Sequence, residues 1–234
     1  MDTPSYQTVR DRLEEYFDRT AVDAWAALTS ETPVGRIRAT VRAGRDRMRA
    51  TLLSYLPADL RGQRLLDAGC GTGALAVEAA RRGAEVVAID LSPRLIELAR
   101  ERTPERLGAG RVDFRVSDML DPSLGRFEWV VAMDSLIHYE PDDMVEMVAR
   151  LAERADRGVV FTFAPRTMIL SVMHGIGKVF PRGNRSPMIE PIAEKTLRAR
   201  VAAHRELGTA FEIGASARVD SGFYISQAME LVRR

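Results

Sequence analysis

The chain is poor in cysteine, in lysine and in long apolar runs. Among 234 residues there is one cysteine, Cys70. That excludes an internal disulfide and a cysteine-based zinc site, and it suits a reducing cytoplasm. No run of about 18 apolar residues occurs, so no helix is expected to span a membrane. The opening stretch, MDTPSYQTVRDRLEEYF, is charged and has no apolar centre, unlike a signal peptide. An excess of one charge is also missing. The 34 basic and 33 acidic residues leave a net charge of +1, which argues against nucleic-acid binding through bulk charge. There is no internal repeat and no low-complexity segment. Only Lys178 and Lys195 are lysines, and no function follows from the arginine bias. What is present is ordinary globular material, 46% hydrophobic and 29% charged, in a length that suits one or two domains.

The first sixty residues read as helices. Over 36–56 the residues Ile37, Val41, Met48 and Leu52 share one helical face, Arg38, Arg42, Arg45 and Arg49 form an adjoining stripe, and Pro57 ends the helix. The pattern then alternates. Strands are expected at 64–68 (RLLDA), 85–89 (EVVAI), 111–116, 127–133 (FEWVVAM) and 159–163. Helices are expected at 73–82, where Gly83 acts as C-terminal cap, from Ser92-Pro93 to about Arg102, and at 141–154. Strands separated by helices of ten or more residues imply a mostly parallel sheet. The end differs: 209–219 and 223–232 are strand-like and separated only by Asp220-Ser221-Gly222, which suits an antiparallel hairpin. The expected fold is α/β, an open Rossmann-like sheet of seven strands closed by that hairpin. One crossover helix, about 191–207, is enough between strand five and the hairpin. Residues 166–187 are surplus, and long surplus connections are often lids or binding segments.

The strongest local signal is Leu65-Leu66-Asp67-Ala68-Gly69-Cys70-Gly71-Thr72-Gly73. Its glycines allow a tight turn and close approach of a ligand to the backbone. Alone they also fit a dinucleotide site, with Gly69, Gly71 and Ala74 in the key places. The acidic residues discriminate. Asp90 ends strand two, where a ribose diol is gripped in either class of site. Asp67 ends strand one beside the turn; it would repel a pyrophosphate and favour the ammonium or sulfonium of S-adenosylmethionine. Asp118 follows strand three and Asp134 follows strand four. Any one of these is as readily a turn former. Four at successive strand ends make an acidic rim where ligands of such sheets bind.

On LLDAGCGTG, VVAIDLS and Asp118, residues 60–164 and the hairpin resemble the class I S-adenosylmethionine-dependent methyltransferases. The resemblance implies that Gly69, Cys70, Gly71 and Gly73 line the methionine end of the donor. It implies that Asp90 with Leu91 holds the ribose, that Asp118 with Met119 edges the adenine, and that Asp67 and Asp134 complete the donor site. S-adenosylhomocysteine is the implied product.

Three further segments are EYFDRTAVDAW (15–25), DSLIHY (134–139) and 164–187, with APRT, GKVFPR and NRSP. With them, nearly the whole chain resembles the magnesium-protoporphyrin IX methyltransferase family, which esterifies a porphyrin propionate on the way to bacteriochlorophyll. The resemblance implies His138 and Tyr16 as the catalytic pair. Magnesium is expected only as part of the substrate, and no residue of the chain identifies itself as a ligand to it. A propionate is already ionised at neutral pH, with a pKa of about 4–5 like glutamate. Transfer from a sulfonium then needs alignment and desolvation more than a strong base.

The implied organisation is a helical cap, 1–60, over a methyltransferase domain, 61–234, with a substrate insert at about 165–190. Met168, Ile169, Val172, Met173, Ile176, Val179 and Phe180 would share one helical face, fit for a flat macrocycle, a membrane interface or a core. Arg166, Arg182 and Arg185 are candidates to meet propionates, and the Arg38–Arg49 stripe to attract anionic lipid weakly. A contact with the magnesium chelatase is a further expectation, as is weak peripheral attachment to a membrane. Three rivals remain at the level of sequence: a methyltransferase for another carboxylate or hydroxyl on a hydrophobic ring, a nicotinamide oxidoreductase, and a porphyrin carrier without chemistry.

Overall fold

A computed structural model describes residues 4–16, 18, 35–166 and 188–234. Helix α1 (Pro4–Glu15) is followed by α2 (Arg36–Ser54), and then by β1 (Arg64–Ala68), α3 (Ala74–Arg81), β2 (Glu85–Asp90), α4 (Pro93–Arg102) and β3 (Arg111–Val116). A short 3-10 turn, Pro122–Leu124, leads into β4 (Phe127–Ala132). The chain continues through α5 (Pro141–Glu153), β5 (Ala155–Phe163), α6 (Glu194–Ala203), α7 (Arg205–Ala210), β6 (Phe211–Ser221) and β7 (Tyr224–Arg233). The seven strands form one sheet in the order β3-β2-β1-β4-β5-β7-β6. The first five pair in parallel, and β7 is antiparallel to both β5 and β6. The expected Rossmann-like sheet with a terminal hairpin is therefore the observed fold.

The sheet is covered on both faces, as a buried parallel sheet requires. On one face, Met48 and Leu52 of α2, Ala76 and Ala79 of α3 and Ile96 of α4 pack on Leu65, Val86 and Val131. On the other, Met144, Val148 and Leu151 of α5 with Leu197, Val201 and Leu207 of α6 and α7 pack on Leu66, Val130 and Phe161. Ser92 caps α4 by accepting from the Leu95 N–H, with Pro93 in the first turn, as its sequence implies.

Two boundaries differ from expectation for physical reasons. The single crossover helix is two helices, α6 and α7, because His204 is extended (φ −70°, ψ 126°) and its side chain accepts from the Leu207 N–H as a cap. Residues 209 and 210 therefore close a helix, and β6 starts at Phe211. Strand β5 begins at Ala155, four residues early, because the ladder with β4 continues past a register shift to Phe127↔Ala155.

Candidate functional site

The strand order reverses at β1 and β4, and the crevice outside the carboxyl ends of such a pair is where an open α/β sheet binds ligands. The loops after β1 and β4 and residues after β2 and β3 enclose a cavity of about 550 Å³ there. Its lining includes Asp67, Gly69, Cys70, Gly71, Asp90, Leu91, Asp118, Met119, Asp134 and His138. Ten sequence-selected residues, spread over seventy positions, are thus brought to one site.

The turn after β1 is held open by its own backbone. The Gly69 and Cys70 N–H groups both donate to the Ile89 carbonyl, at 2.9 and 2.8 Å. Gly69 has φ +86°, and a Cβ there would lie 2.5 Å from Ser135 Cβ, so the close approach of the β4 loop requires glycine. Gly73 is not among the described lining residues. It precedes α3, and an added Cβ would meet the Phe114 ring at 2.8 Å, so its place is helix–sheet packing.

Asp67 is a strongly perturbed carboxyl. It is 1% exposed and receives a hydrogen bond from the Ala76 backbone, while its Oδ2 has no partner among the described residues. Burial, reinforced by the nearby Asp90 charge, pushes its carboxyl up to about 7. Asp90 is also raised by burial, against the Ser92 and Gly71 N–H groups that donate to its two oxygens at 3.0 and 2.9 Å. The Cys70 thiol is pushed well up by burial and by these two carboxylates. The buried, partly unsatisfied carboxylate at Asp67 suits a cationic ligand, and a donor with an ammonium and a sulfonium has that chemistry.

Asp118 Oδ1 accepts from the Tyr6 hydroxyl and the Leu120 N–H, and Arg10 approaches Oδ2 at 3.4 Å. Tyr6 stacks on Tyr139 with centroids 5.5 Å apart, so α1 lies over this end of the cavity. Asp134 is held in the left-handed region (φ 55°). Its carboxylate receives Arg45 at 2.6 Å, the Tyr224 hydroxyl at 3.0 Å, and the Ser226 and Thr162 hydroxyls at 3.2 Å each. It belongs to the rim, but its charge is matched by α2.

His138 is half-buried on the cavity wall, and its Nδ1 lies 3.1 Å from the Met188 carbonyl. Only N–H can meet a carbonyl, so Nδ1 carries the proton and Nε2 the lone pair. Burial lowers its pKa, so the ring is neutral at pH 7. Tyr16 sits half-buried at the end of α1 and is not among the described lining residues. Arg166 is exposed. Trp25, the 168–180 face, Arg182 and Arg185 lie outside the described residues.

Sequence reasoning missed Tyr6, Tyr139 and the carriers of the Asp134 node. Arg42, Arg45 and Arg49 were legible as a stripe, but they line the cavity, and of the stripe's four arginines only Arg38 is fully exposed. Tyr6 gave no signal, because its partner Asp118 is 112 residues away.

Residues 132–233 match the family described as magnesium-protoporphyrin IX methyltransferase C-terminus, and residues 65–158 a methyltransferase domain. Magnesium-protoporphyrin O-methyltransferase of Rhodobacter capsulatus is 50% identical over 96% of this chain and 97% of that protein. The Synechocystis protein of the same name is 30% identical over 94% and 95%. The crystal structure of the Synechocystis magnesium protoporphyrin IX methyltransferase with bound S-adenosylhomocysteine superposes with a TM-score of 0.84 at 28% identity, over 97% of this chain and all of that one. By sequence over nearly its whole length and by fold, this chain belongs to the magnesium-protoporphyrin O-methyltransferase family.

Proposed function

We propose that the protein transfers a methyl group from S-adenosylmethionine to one propionate of magnesium protoporphyrin IX, giving the monomethyl ester and S-adenosylhomocysteine. The observation that carries this is the cavity at the β1/β4 switch point, with an unsatisfied buried carboxylate at Asp67 and a neutral His138 on its wall, in a chain 50% identical to a protein of that name.

Asp67 faces the cationic end of the donor, Gly69, Cys70 and Gly71 admit its methionine portion, Asp90 with Leu91 takes the ribose hydroxyls, and Asp118 with Met119 edges the adenine. Bound there, the donor supplies a methyl group on a cationic sulfur, and the bond electrons return to sulfur as a carboxylate oxygen takes the methyl. No proton is released when the acid arrives ionised. His138 accepts the proton at Nε2 when it does not. Tyr16 adds a hydrogen bond from the cap. The chain's remaining work is alignment and exclusion of water, served by α1 over the cavity.

Residues 1–60 act as a cap and 61–234 as the catalytic domain, with the 165–190 insert on the substrate side. The reading is of a cytoplasmic enzyme that the apolar acceptor brings to a bilayer peripherally; no helix among the described residues is long and apolar enough to cross a membrane. The acceptor reaches the site already holding magnesium, and the magnesium chelatase is the partner expected to deliver it.

The test is a methyl-transfer assay with magnesium protoporphyrin IX and a hydroxylated quinone ring as competing acceptors, read by mass spectrometry. Ester formation on the porphyrin is expected. Transfer to the quinone alone, or to neither, overturns the assignment.

A further inference from the structure

The cavity is bipolar. Its strand-tip side carries Asp67, Asp90, Asp118 and Asp134, and its α2 side carries Arg42, Arg45 and Arg49 with one carboxylate, Asp46. These arginines stand at helical spacings of three and four, so they form one ridge. All three are half-buried, whereas Arg47 on the opposite side is exposed and donates to the Asp220 carbonyl.

The ridge is locked in rotation. Arg45 meets the Asp134 carboxylate at 2.6 Å, and that carboxylate is fixed by hydroxyls of β5 and β7. One residue earlier, Gly44 is buried against Tyr224, and an added Cβ would stand 2.6 Å from the ring. Helix α2 therefore cannot roll away from the cavity without breaking this node. Arg45 is consumed by the lock. Arg42 and Arg49 stand one turn to either side on the same cavity wall, and Arg49 is paired with Asp46 at 2.9 Å.

Seven residues of helix span roughly 10 Å. One carboxylate occupies one guanidinium fork, so a ridge of that length exceeds what the amino-acid end of the donor requires. The acceptor named under Proposed function brings two propionates, of which one reacts. We propose that Arg42 and Arg49 bind the acceptor carboxylate that is not methylated, and thereby limit the enzyme to a single esterification. The first product carries one ester and one carboxylate. To react again it must turn round and place the neutral ester on the arginine ridge, losing the charge-assisted hydrogen bonds that held the diacid. Arg45 and Gly44 are positioning residues in this scheme.

The proposal rests on the porphyrin assignment, and the experiment separates the two. Arg42→Gln, Arg49→Gln, their double variant and the charge control Arg47→Gln are each titrated with S-adenosylmethionine by calorimetry. Porphyrin binding is followed by fluorescence, with magnesium protoporphyrin IX and with its monomethyl ester. Methyl transfer to both acceptors is read by mass spectrometry. In the double variant the diacid is expected to bind about ten- to a hundredfold more weakly, while donor affinity stays within about twofold, as in the control. The wild-type preference for diacid over monoester should collapse towards unity, with diester appearing. Arg42→Lys and Arg49→Lys should restore part of the preference, because they keep the charge and lose the fork. Equal weakening of donor binding overturns the proposal by assigning the ridge to the donor's own carboxylate, and so does an unchanged diacid preference. A wild-type protein that methylates no porphyrin refutes the earlier assignment and removes this one with it.

Discussion

Asp67 makes donor binding sensitive to pH, with a sign that follows from its burial. In the free protein its carboxyl is pushed up to about 7, chiefly by desolvation and secondarily by Asp90. A cationic donor favours the ionised form, so binding must expel the proton wherever the free carboxyl holds one. Affinity for S-adenosylmethionine should therefore be level above about pH 8 and fall by about tenfold for each pH unit below 7, roughly a hundredfold by pH 5. The perturbation is Asp67→Asn, which keeps the shape and removes the charge. Its donor affinity should be lower than wild type at pH 8 and independent of pH, so the two curves converge near pH 5. Stability of the free protein moves the opposite way. A carboxyl whose pKa is raised on folding contributes most below its unfolded value of about 3.9, and that contribution is lost as pH rises through about 7, on the order of 4 kcal/mol in all. Asp67→Asn should accordingly melt higher than wild type at pH 8, with the difference shrinking to about a third at pH 5 and vanishing only below about pH 4. Calorimetric titration and thermal melting across this range test both parts. A wild-type affinity that is flat with pH, or a variant that follows the wild-type slope, would refute the reasoning.

Three other outcomes follow from the same geometry. Asp90→Ala, which removes the acceptor of the Gly71 and Ser92 N–H groups and the proposed ribose grip, should weaken the donor by about ten- to a hundredfold; unchanged affinity in a folded variant rejects the assignment. His138→Ala should lower kcat by about tenfold or more while leaving donor affinity within about twofold. The acid limb of wild-type kcat, at saturating donor, should fall below the ordinary histidine value because burial lowers it, and a limb that survives in the variant assigns it elsewhere. Asp134→Ala removes the carboxylate that meets Arg45, whose side chain is 19% exposed, and three hydroxyls. Removing one partner of a buried ion pair costs about 3–5 kcal/mol, and at roughly 2–4 °C per kcal/mol for a domain of this size the Tm should drop by about 6–20 °C. Asp134→Asn tolerates the positive φ and keeps acceptors for the hydroxyls, so it should lose about half as much; a loss under about 2 °C in the alanine variant contradicts the node.

Everything that depends on local pattern could be read from the residues in order. Alternation of strand and helix periods, the Ser92-Pro93 cap and the short 220–222 link were enough for a seven-stranded sheet ending in a hairpin. Acidic residues at successive strand ends placed the cavity, because a parallel sheet puts all those ends on one edge. Tertiary structure alone decided how the rim is partitioned. Asp67, Asp118 and Asp134 look alike in sequence. Yet one is buried with an unsatisfied oxygen, one is met by Tyr6 and Arg10, and one is matched by Arg45. Their partners come from positions 89 to 112 residues away, and no local signal reports on such pairings. The arginine stripe of α2 shows the same limit: its period was legible, but its direction was not. The turn of the helix is set by Gly44 against Tyr224 and by Asp134 beneath Arg45. Those contacts exist only once β7 has folded back beside β5, and they point the stripe into the cavity rather than out to solvent.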